Sequence, residues 1–223
     1  MRPQAILRAA GAVAAPGALA VTVAASLAPA ARPDHARAAV ERGRPAAGDV
    51  AIARRRLDVI SGRRALVTGR VAGLTAGRAV ALERRSGHGW RTIDRDRTDA
   101  GGAFAFRFRP VASGSAAVRV RAGAARAHAG RLNVYRRARA SWYGPGLYGG
   151  PLGCGGTLTP GTLGVASKSL PCGAKVTLRH GDRRVRVRVV DRGPYVAGRE
   201  LDLTAATKER LGFAEVGSVL VAG

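Results

Sequence analysis

Apolar residues recur at every second position in short runs along this chain, and that period constrains its fold more than any other feature. Phe104, Phe106 and Phe108 alternate with Ala105 and Arg107, and Val118 and Val120 alternate with Arg119 and Arg121. Leu66, Val67 and Val71, then Val80 and Leu82, then Trp90 and Ile93 precede these runs, and Leu132 and Val134 close the series. Successive side chains of a strand point to opposite faces, so such alternation describes strands with one buried face. Gly73, Gly77, Ser86-Gly87, Gly101-Gly102 and Ser113-Gly114 stand between the runs. Glycine suits tight turns because it lacks the Cβ that resists the necessary backbone angles. Residues 57–135 are therefore expected to form a small β-sandwich.

Aromatic residues make up only 4% of the 223 positions, and most apolar content is Ala, Val and Leu. Two modest cores fit that composition better than one large core. The formal charge is +24, almost all of it Arg scattered along the whole length. A nucleic acid would be gripped through a concentrated stripe of such charge, so the scatter argues against one; a polyanionic wall or membrane surface remains. Residues 1–38 have Arg2 and Arg8 ahead of an uncharged stretch, Ala9 to Ala30, and small residues at Ala28-Pro29-Ala30 and Ala36-Arg37-Ala38. They read as a signal peptide, with an uncleaved N-terminal anchor as the alternative, so the chain is expected to be secreted or associated with the cell wall. Residues 39–56 are rich in Ala, Arg, Gly and Pro and read as a linker. Residues 136–139 read as a basic joint to a second module.

That second module, residues 140–223, has a different layout. Ser141-Trp142-Tyr143 is a short strand, followed by Gly144 to Gly161 with eight Gly and three Pro, which must be loop. Val176-Thr177-Leu178 and Val185 to Val189 alternate, Leu201-Asp202-Leu203 is another strand, and Val219-Leu220-Val221 closes the sheet. Thr204 stands where it can cap a short helix over Ala205 to Leu211, which Gly212 ends. Short strands with one helix make a small closed barrel, since closure removes exposed edges. Cys154 and Cys172 both fall here. In an exported chain a lone pair reads as a disulfide, stabilising by roughly 3 kcal/mol, with free thiols as the alternative. Two Cys are too few for a metal, and the four His do not cluster with them. No metal or other cofactor is expected.

Four segments, "ASWYGPGLYGG", "TLTPGTLGVASKSLPCGAKVTL", "VRVVDRGPYVAGRELDLT" and "LGF", resemble in order and spacing the rare lipoprotein A family of double-psi β-barrels, a fold shared with expansins and barwin-like proteins. The earlier stretch, around "AGRAVALERRSGHGW", resembles the small immunoglobulin-like domains of exported bacterial proteins. The whole chain is thus read as all-β: a small immunoglobulin-like β-sandwich, then a six-stranded double-psi β-barrel with one short helix. The barrel resemblance implies an exported protein that acts on peptidoglycan glycan strands. Some family members are lytic transglycosylases that cleave strands poor in stem peptides.

Asp191 follows the strand Val185 to Val190 and precedes Arg192-Gly193-Pro194, so its carboxylate is held on a stiff turn. Glycosidic cleavage needs an acid at the bridging oxygen, and the resemblance assigns the family's catalytic Asp to Asp191. The alternative is a structural carboxylate paired with Arg192 or with turn amides. Active family members carry a His after the Ala of the earlier motif that leads into Leu170-Pro171-Cys172-Gly173, where this chain has Ser167. Serine cannot carry a proton near neutral pH as imidazole does. That departure opens a second reading, an expansin-like module that binds or loosens glycan without cleaving it. Asp202, in the family's "DL[ST]" position, is the best second acid, on a strand expected beside that of Asp191. Glu200 lies two residues earlier. Trp142, Tyr143, Tyr148 and Tyr195 are candidates to stack on sugar rings, although Trp142 serves equally well as a plug for the barrel. Arg192 and Arg199 are candidates for muramyl carboxylates or anionic wall polymers. Trp90 is expected to pack the sandwich core. His180 in "RHGDRR", and Asp94, Asp96 and Asp99 among their arginines, are expected to be structural.

Overall fold

The computed structural model describes residues 48–73 and 76–223. The signal or anchor segment and the linker up to residue 47 lie outside the described residues. Among the described residues no helix is long and apolar enough to cross a membrane.

The first half runs through β1 (Val50–Arg56), β2 (Asp58–Ile60), β3 (Ala65–Val71), β4 (Ala79–Ser86), β5 (Gly89–Arg97), β6 (Ala103–Phe108), β7 (Gly114–Ala122) and β8 (Ala125–Tyr143). One antiparallel sheet has the order β1-β3-β6. Another runs β5-β4-β7-β8, with β2 added in parallel to β8. Val67, Val71, Phe104 and Phe106 of the first sheet meet Val80, Leu82, Val118, Val120, Leu132 and Val134 of the second in one core. These are the alternating residues of the sequence, and each large apolar side chain removed from water contributes about 1.5–3 kcal/mol.

Two details differ from the sequence expectation. The composition assigns 50–56 to the linker, yet these residues form β1, because Val50 and Ile52 alternate and pack on the core edge while the arginines beyond them stay in water. Trp90 does not enter the core. It lies on the other face of β5, with the Arg119 guanidinium 4.2 Å from its ring centroid and Arg85 at 5.8 Å. Arg119 and Arg121 both donate to the buried Glu83, at 2.7 Å each. A cation over an indole is favourable, so the tryptophan is satisfied without burial. Asp94, Asp96 and Asp99 accept backbone N–H groups of their own hairpin and turn.

The second half adds β9 (Gly164–Ala166), β10 (Lys175–His180), β11 (Arg183–Asp191), β12 (Leu201–Thr204), α1 (Ala205–Leu211) and β13 (Gly217–Ala222). Around the ring the order is β8-β12-β9-β11-β10-β13 and back to β8, a closed barrel of six strands. The β8–β12 and β9–β11 pairs are parallel and the others antiparallel. Val165, Val176, Leu178, Val187, Val189, Leu201, Leu203 and Val221 fill the interior, and Leu211 and Phe213 close it from the helix side. His180 packs edge-on against Phe213, with ring centroids 5.4 Å apart. Thr204 is the N-cap residue of α1, but its hydroxyl makes no cap bond; it bonds Thr207 and Gly164. Gly212 ends the helix in a left-handed conformation, φ 59°.

The two halves share β8. Residues 136–139, which read as a joint, lie in the middle of this nineteen-residue strand. Ala138 and Ala140 face the barrel core, while Arg137 and Arg139 are exposed. Side chains reinforce the backbone continuity. Asp58 accepts hydrogen bonds from Asn133 (2.8 Å), Tyr135 (2.9 Å) and, across to β11, Arg184 (2.6 Å). Arg186 of β11 donates to Ser115 of β7 at 2.9 Å, and Ser115 donates to Asn133 at 2.6 Å.

Burial alone would raise the Asp58 carboxyl, but the hydrogen bonds from Arg184, Asn133 and Tyr135 and the Arg184 charge hold it below its ordinary 3.8. A carboxyl depressed in the folded state stabilises above its unfolded value, and that stabilisation is lost as pH falls through the lower folded value. Asp58→Asn should therefore cost about 1–2 kcal/mol in urea unfolding at neutral pH, and the gap from the parent should close as pH falls below the ordinary 3.8. A gap that persists undiminished in acid would show that the carboxylate charge is not what joins the halves.

Candidate functional site

Asp191 ends β11, and a bulge decides where it points. Val187 and Val189 face the barrel core, so strict alternation would send Asp191 inward as well. Val189 pairs with Val165 and Asp191 with Ala166, so one extra residue, Val190, is inserted on β11. A bulge of this kind re-aims the following side chain. Val190 lies over Gly164, where an added Cβ would come within 2.3 Å of its side chain. Asp191 thus joins a row across four strands: Asp191 of β11, Ala166 of β9, Asp202 of β12 and Ser141 of β8. Val165, Leu201, Leu203 and Ala140, the chain neighbours of this row, all face the core, so the row lies on the opposite face.

The sequence places the Asp202 strand beside that of Asp191. In the structure β9 lies between them, because the parallel β9–β11 pair occupies that position. Two strand spacings separate the acidic residues, about 9–10 Å between backbones, with only the Ala166 methyl in the row between them. Asp202 accepts a hydrogen bond from Ser141. Glu200 precedes the strand and pairs instead with Arg136 at 2.6 Å.

The half-buried Asp191 carboxylate is held asymmetrically. Its Oδ1 accepts the backbone N–H groups of Gly153 and Arg192, both at 2.7 Å. Among the described residues no hydrogen bond of normal geometry reaches Oδ2. The Arg192 guanidinium does not pair with it. It turns the other way and donates to the carbonyls of Ser167 (2.8 Å) and Leu170 (2.7 Å) and to the Cys172 sulfur (2.7 Å). Cys154 and Cys172 form a disulfide. It ties the glycine-rich loop to the 167–173 turn, and the Cys154 N–H donates to the Val190 carbonyl. Both loops are therefore anchored to the end of β11.

Gly153 is a site residue that the sequence does not reveal, since it is one of eight glycines in its loop. A Cβ there would lie 2.8 Å from Asp191 Oδ1 and 3.1 Å from the Arg192 nitrogen. Only a residue without one lets the loop amide reach the carboxylate.

Tyr143, on β8, lies close enough to the row to feel both carboxylates. Its hydroxyl is the buried side-chain polar atom left without a hydrogen bond among the described residues. Burial first, then the charge of Asp191, a hydrogen-bonding approach to its carboxylate and the charge of Asp202, push the phenol above its ordinary 10. It stays protonated at neutral pH, and the Asp191 carboxylate is its nearest acceptor although no bond of ordinary geometry is made. Ser167 is also buried, and its hydroxyl accepts the Leu170 N–H at 3.3 Å, while its own N–H bonds the Asp191 carbonyl. That hydroxyl closes a turn, so the position offers no titrating group.

The remaining aromatic candidates separate. Tyr148 is partly exposed and its hydroxyl comes up to Gly144. Tyr195, 81% exposed, lies beyond the Gly193–Pro194 turn. Trp142 is drawn away from the row: it packs on the barrel core, donates to Glu215 at 2.7 Å and carries the Lys208 ammonium 3.8 Å over its ring. Arg199 follows the turn after Tyr195, its N–H bonded to the Val196 carbonyl. Among the described residues no group of three or more His, Cys, Asp or Glu is placed to hold a metal.

A closed six-stranded barrel of this topology, with an acid at the end of β11, defines the class of double-psi β-barrels. The family model described as lytic transglycolase matches residues 135–222. More narrowly, the C-terminal module is RlpA-like. It is 39% identical over 84 residues to the endolytic peptidoglycan transglycosylase RlpA of Campylobacter jejuni, covering 37% of this chain and 30% of that protein. It is 38% identical over 87 residues to the probable endolytic peptidoglycan transglycosylase RlpA of Aquifex aeolicus, covering 38% of each. The RlpA of Pseudomonas aeruginosa is 38% identical over 84 residues, covering 37% of this chain and 25% of that one. The chain thus spans well under half the length of the curated relatives it matches. Among solved structures, the Streptomyces papain inhibitor aligns with a TM-score of 0.33 at 20% identity, over 40% of this chain and 92% of its own.

Gly153→Ala should cost about 1–3 kcal/mol in stability by forcing the loop away from Asp191. Gly161→Ala is the control, because a Cβ there meets nothing within 4 Å. Denaturant unfolding of both variants checks this; equal stability would show that the loop has no close seat on the carboxylate.

Proposed function

We propose that the C-terminal module acts on peptidoglycan as a lytic transglycosylase, with Asp191 as the group that moves the proton. One observation carries this reading. Asp191 has one oxygen fixed by two amides and the other without a hydrogen bond of ordinary geometry, facing the Tyr143 phenol and near a second carboxylate. The names of the RlpA relatives supply the substrate class. They also support an exported or wall-associated location.

The chemistry is balanced with one acid. Asp191, protonated, gives its proton to the oxygen that bridges two sugars as the C1–O bond breaks. The 6-hydroxyl of the same muramyl residue attacks C1 and passes its proton back to the carboxylate. One strand then ends in an anhydro sugar and the other in a free hydroxyl, and no water is consumed. Tyr143, protonated and facing Asp191, is placed to donate to a sugar oxygen. Asp202 is held by Ser141 and serves as a fixed charge near the site. Tyr148 and Tyr195, both exposed, offer faces on which pyranose rings stack.

A second reading is favoured by Ser167. Its hydroxyl is occupied by the Leu170 amide, so nothing at that position replaces the imidazole of active relatives. The module would then grip glycan without cutting it.

The full chain incubated with glycan strands stripped of stem peptides should release anhydromuramyl products. Asp191→Asn keeps an oxygen for the Gly153 and Arg192 amides, and should lower the rate about 10²–10⁴-fold while the thermal midpoint stays near that of the parent. Retention on the glycan with no product from the parent protein would establish the binding reading. Undiminished cleavage by the variant would remove Asp191 from the chemistry.

A further inference from the structure

Three clefts border Asp58 where the sandwich meets the barrel, and in two of them arginine is the main charged residue. One, of about 430 Å³, is walled by Arg55 and Arg131 from the sandwich half and by Arg184 and Arg186 from β11. The other, of about 570 Å³, carries Arg56, Arg63, Arg64, Arg109 and Arg179. Asp58 is the carboxylate that lines each of them, and it is already spent on Arg184. Asp182 reaches Arg179 only at 3.8 Å and is fully exposed.

The cations of the first cleft crowd one another. Arg186 donates to Ser115, and the Arg131 side chain makes no hydrogen bond or ion pair among the described residues. Partial burial, and then the charge of Arg131, hold the Arg186 guanidinium below its ordinary value. Like charges placed together around a cleft cost free energy that an anion between them returns, and the guanidinium fork fits phosphate oxygens in pairs.

We infer that this inter-module surface binds a phosphodiester polymer that carries no bases, such as a polyol-phosphate chain of the cell wall. Two clefts meeting at one residue provide for successive phosphates along a chain rather than for one ion. Single-stranded nucleic acid is bound by stacking its bases on aromatic side chains. No Phe, Tyr, Trp or His lines either cleft, so a chain of sugars or polyols joined by phosphate fits better. The surface lies apart from the Asp191 row, on residues that row does not use. It would hold the chain against an anionic wall whether or not the barrel cleaves glycan.

The test is fluorescence anisotropy with the full chain and a short labelled poly(glycerol phosphate) oligomer. Binding should weaken steeply with salt as counterions are released. Arg131→Gln with Arg186→Gln should weaken it about tenfold or more, and the Lys pair at the same positions should keep most of it. Arg91→Gln with Arg107→Gln removes equal charge from outside the clefts and should change binding less than about twofold. If the double Gln variant fails to fold, Arg131→Glu decides, since that side chain holds nothing in place. An equal loss from the Arg91 and Arg107 pair would overturn the site in favour of bulk charge. Displacement by inorganic phosphate at matched phosphate concentration would overturn the polymer. Tighter binding of an oligothymidylate with the same number of phosphates, lost with the same two arginines, would replace it with a nucleic acid. No glycan cleavage is measured here, so this inference and the transglycosylase reading fail separately.

Discussion

One strand, β8, holds the molecule together. Its first part pairs with β7 and β2, and its last part pairs with β13 and β12. The same backbone therefore supplies a sheet to the sandwich and a stave to the barrel. The strand cannot slip in one module without slipping in the other, because a shift of one residue turns every side chain to the wrong face. Leu132 and Val134 fix its register in one core, and Ala138 and Ala140 fix it in the other. The site inherits that register. Ser141, which holds Asp202, and Tyr143 are the last outward residues of the strand.

Within this frame the acid row depends on two local departures from regular structure. The bulge at Val190 turns Asp191 out of the hydrophobic interior, where an uncompensated carboxylate would be very costly. Gly153 then brings an amide to it without a side chain in the way. The disulfide and Arg192 keep both flanking loops in place. Arg192 does this with carbonyl and sulfur contacts, so its charge stabilises the loops and not the carboxylate. A direct pair with Asp191 would have filled the oxygen that a ligand would need. The lone acid at a strand end is thus held by neutral amides, a way of fixing its orientation without covering it.

Most of the architecture was legible in the sequence, because the signal was a period. The Phe104 to Phe108 run, the Val118 to Val120 run and the Val185 to Val189 run each became a strand with the apolar members inside. The pairing of Cys154 with Cys172, the helix stop at Gly212 and the position of Asp191 at a strand end were also readable. What was hidden had no period or shared a signal with something else. In "RRARA", residues 136–140, the inward residues are alanines, too small to stand out against the arginines, so a strand looked like a joint. Trp90 looked like core because its size favours burial, yet Arg119 offers it a cationic partner from the neighbouring strand region. The bulge adds one residue without any mark in the sequence. Gly153 is hidden among glycines that serve turns. The place of β9 between β11 and β12 is a matter of topology that no local pattern records.

The arginines follow the same logic. In β11, Arg184, Arg186 and Arg188 alternate with Val185, Val187 and Val189, so filling the barrel interior obliges the cations to face outward. The strand's direction then decides what they meet. Arg184 and Arg186, near its start, reach Asp58 and Ser115 in the sandwich half. Arg188 donates to the Gly173 carbonyl near the disulfide turn. Asp191 closes the same strand. One strand therefore carries, from end to end, the contacts that dock the two halves, the support for the disulfide loop and the candidate acid. Movement of the sandwich against the barrel would be felt along β11 as well as β8. The carboxylate and the docking arginines are residues of one strand, so the contacts that hold the first half and the acid of the site share a single ladder.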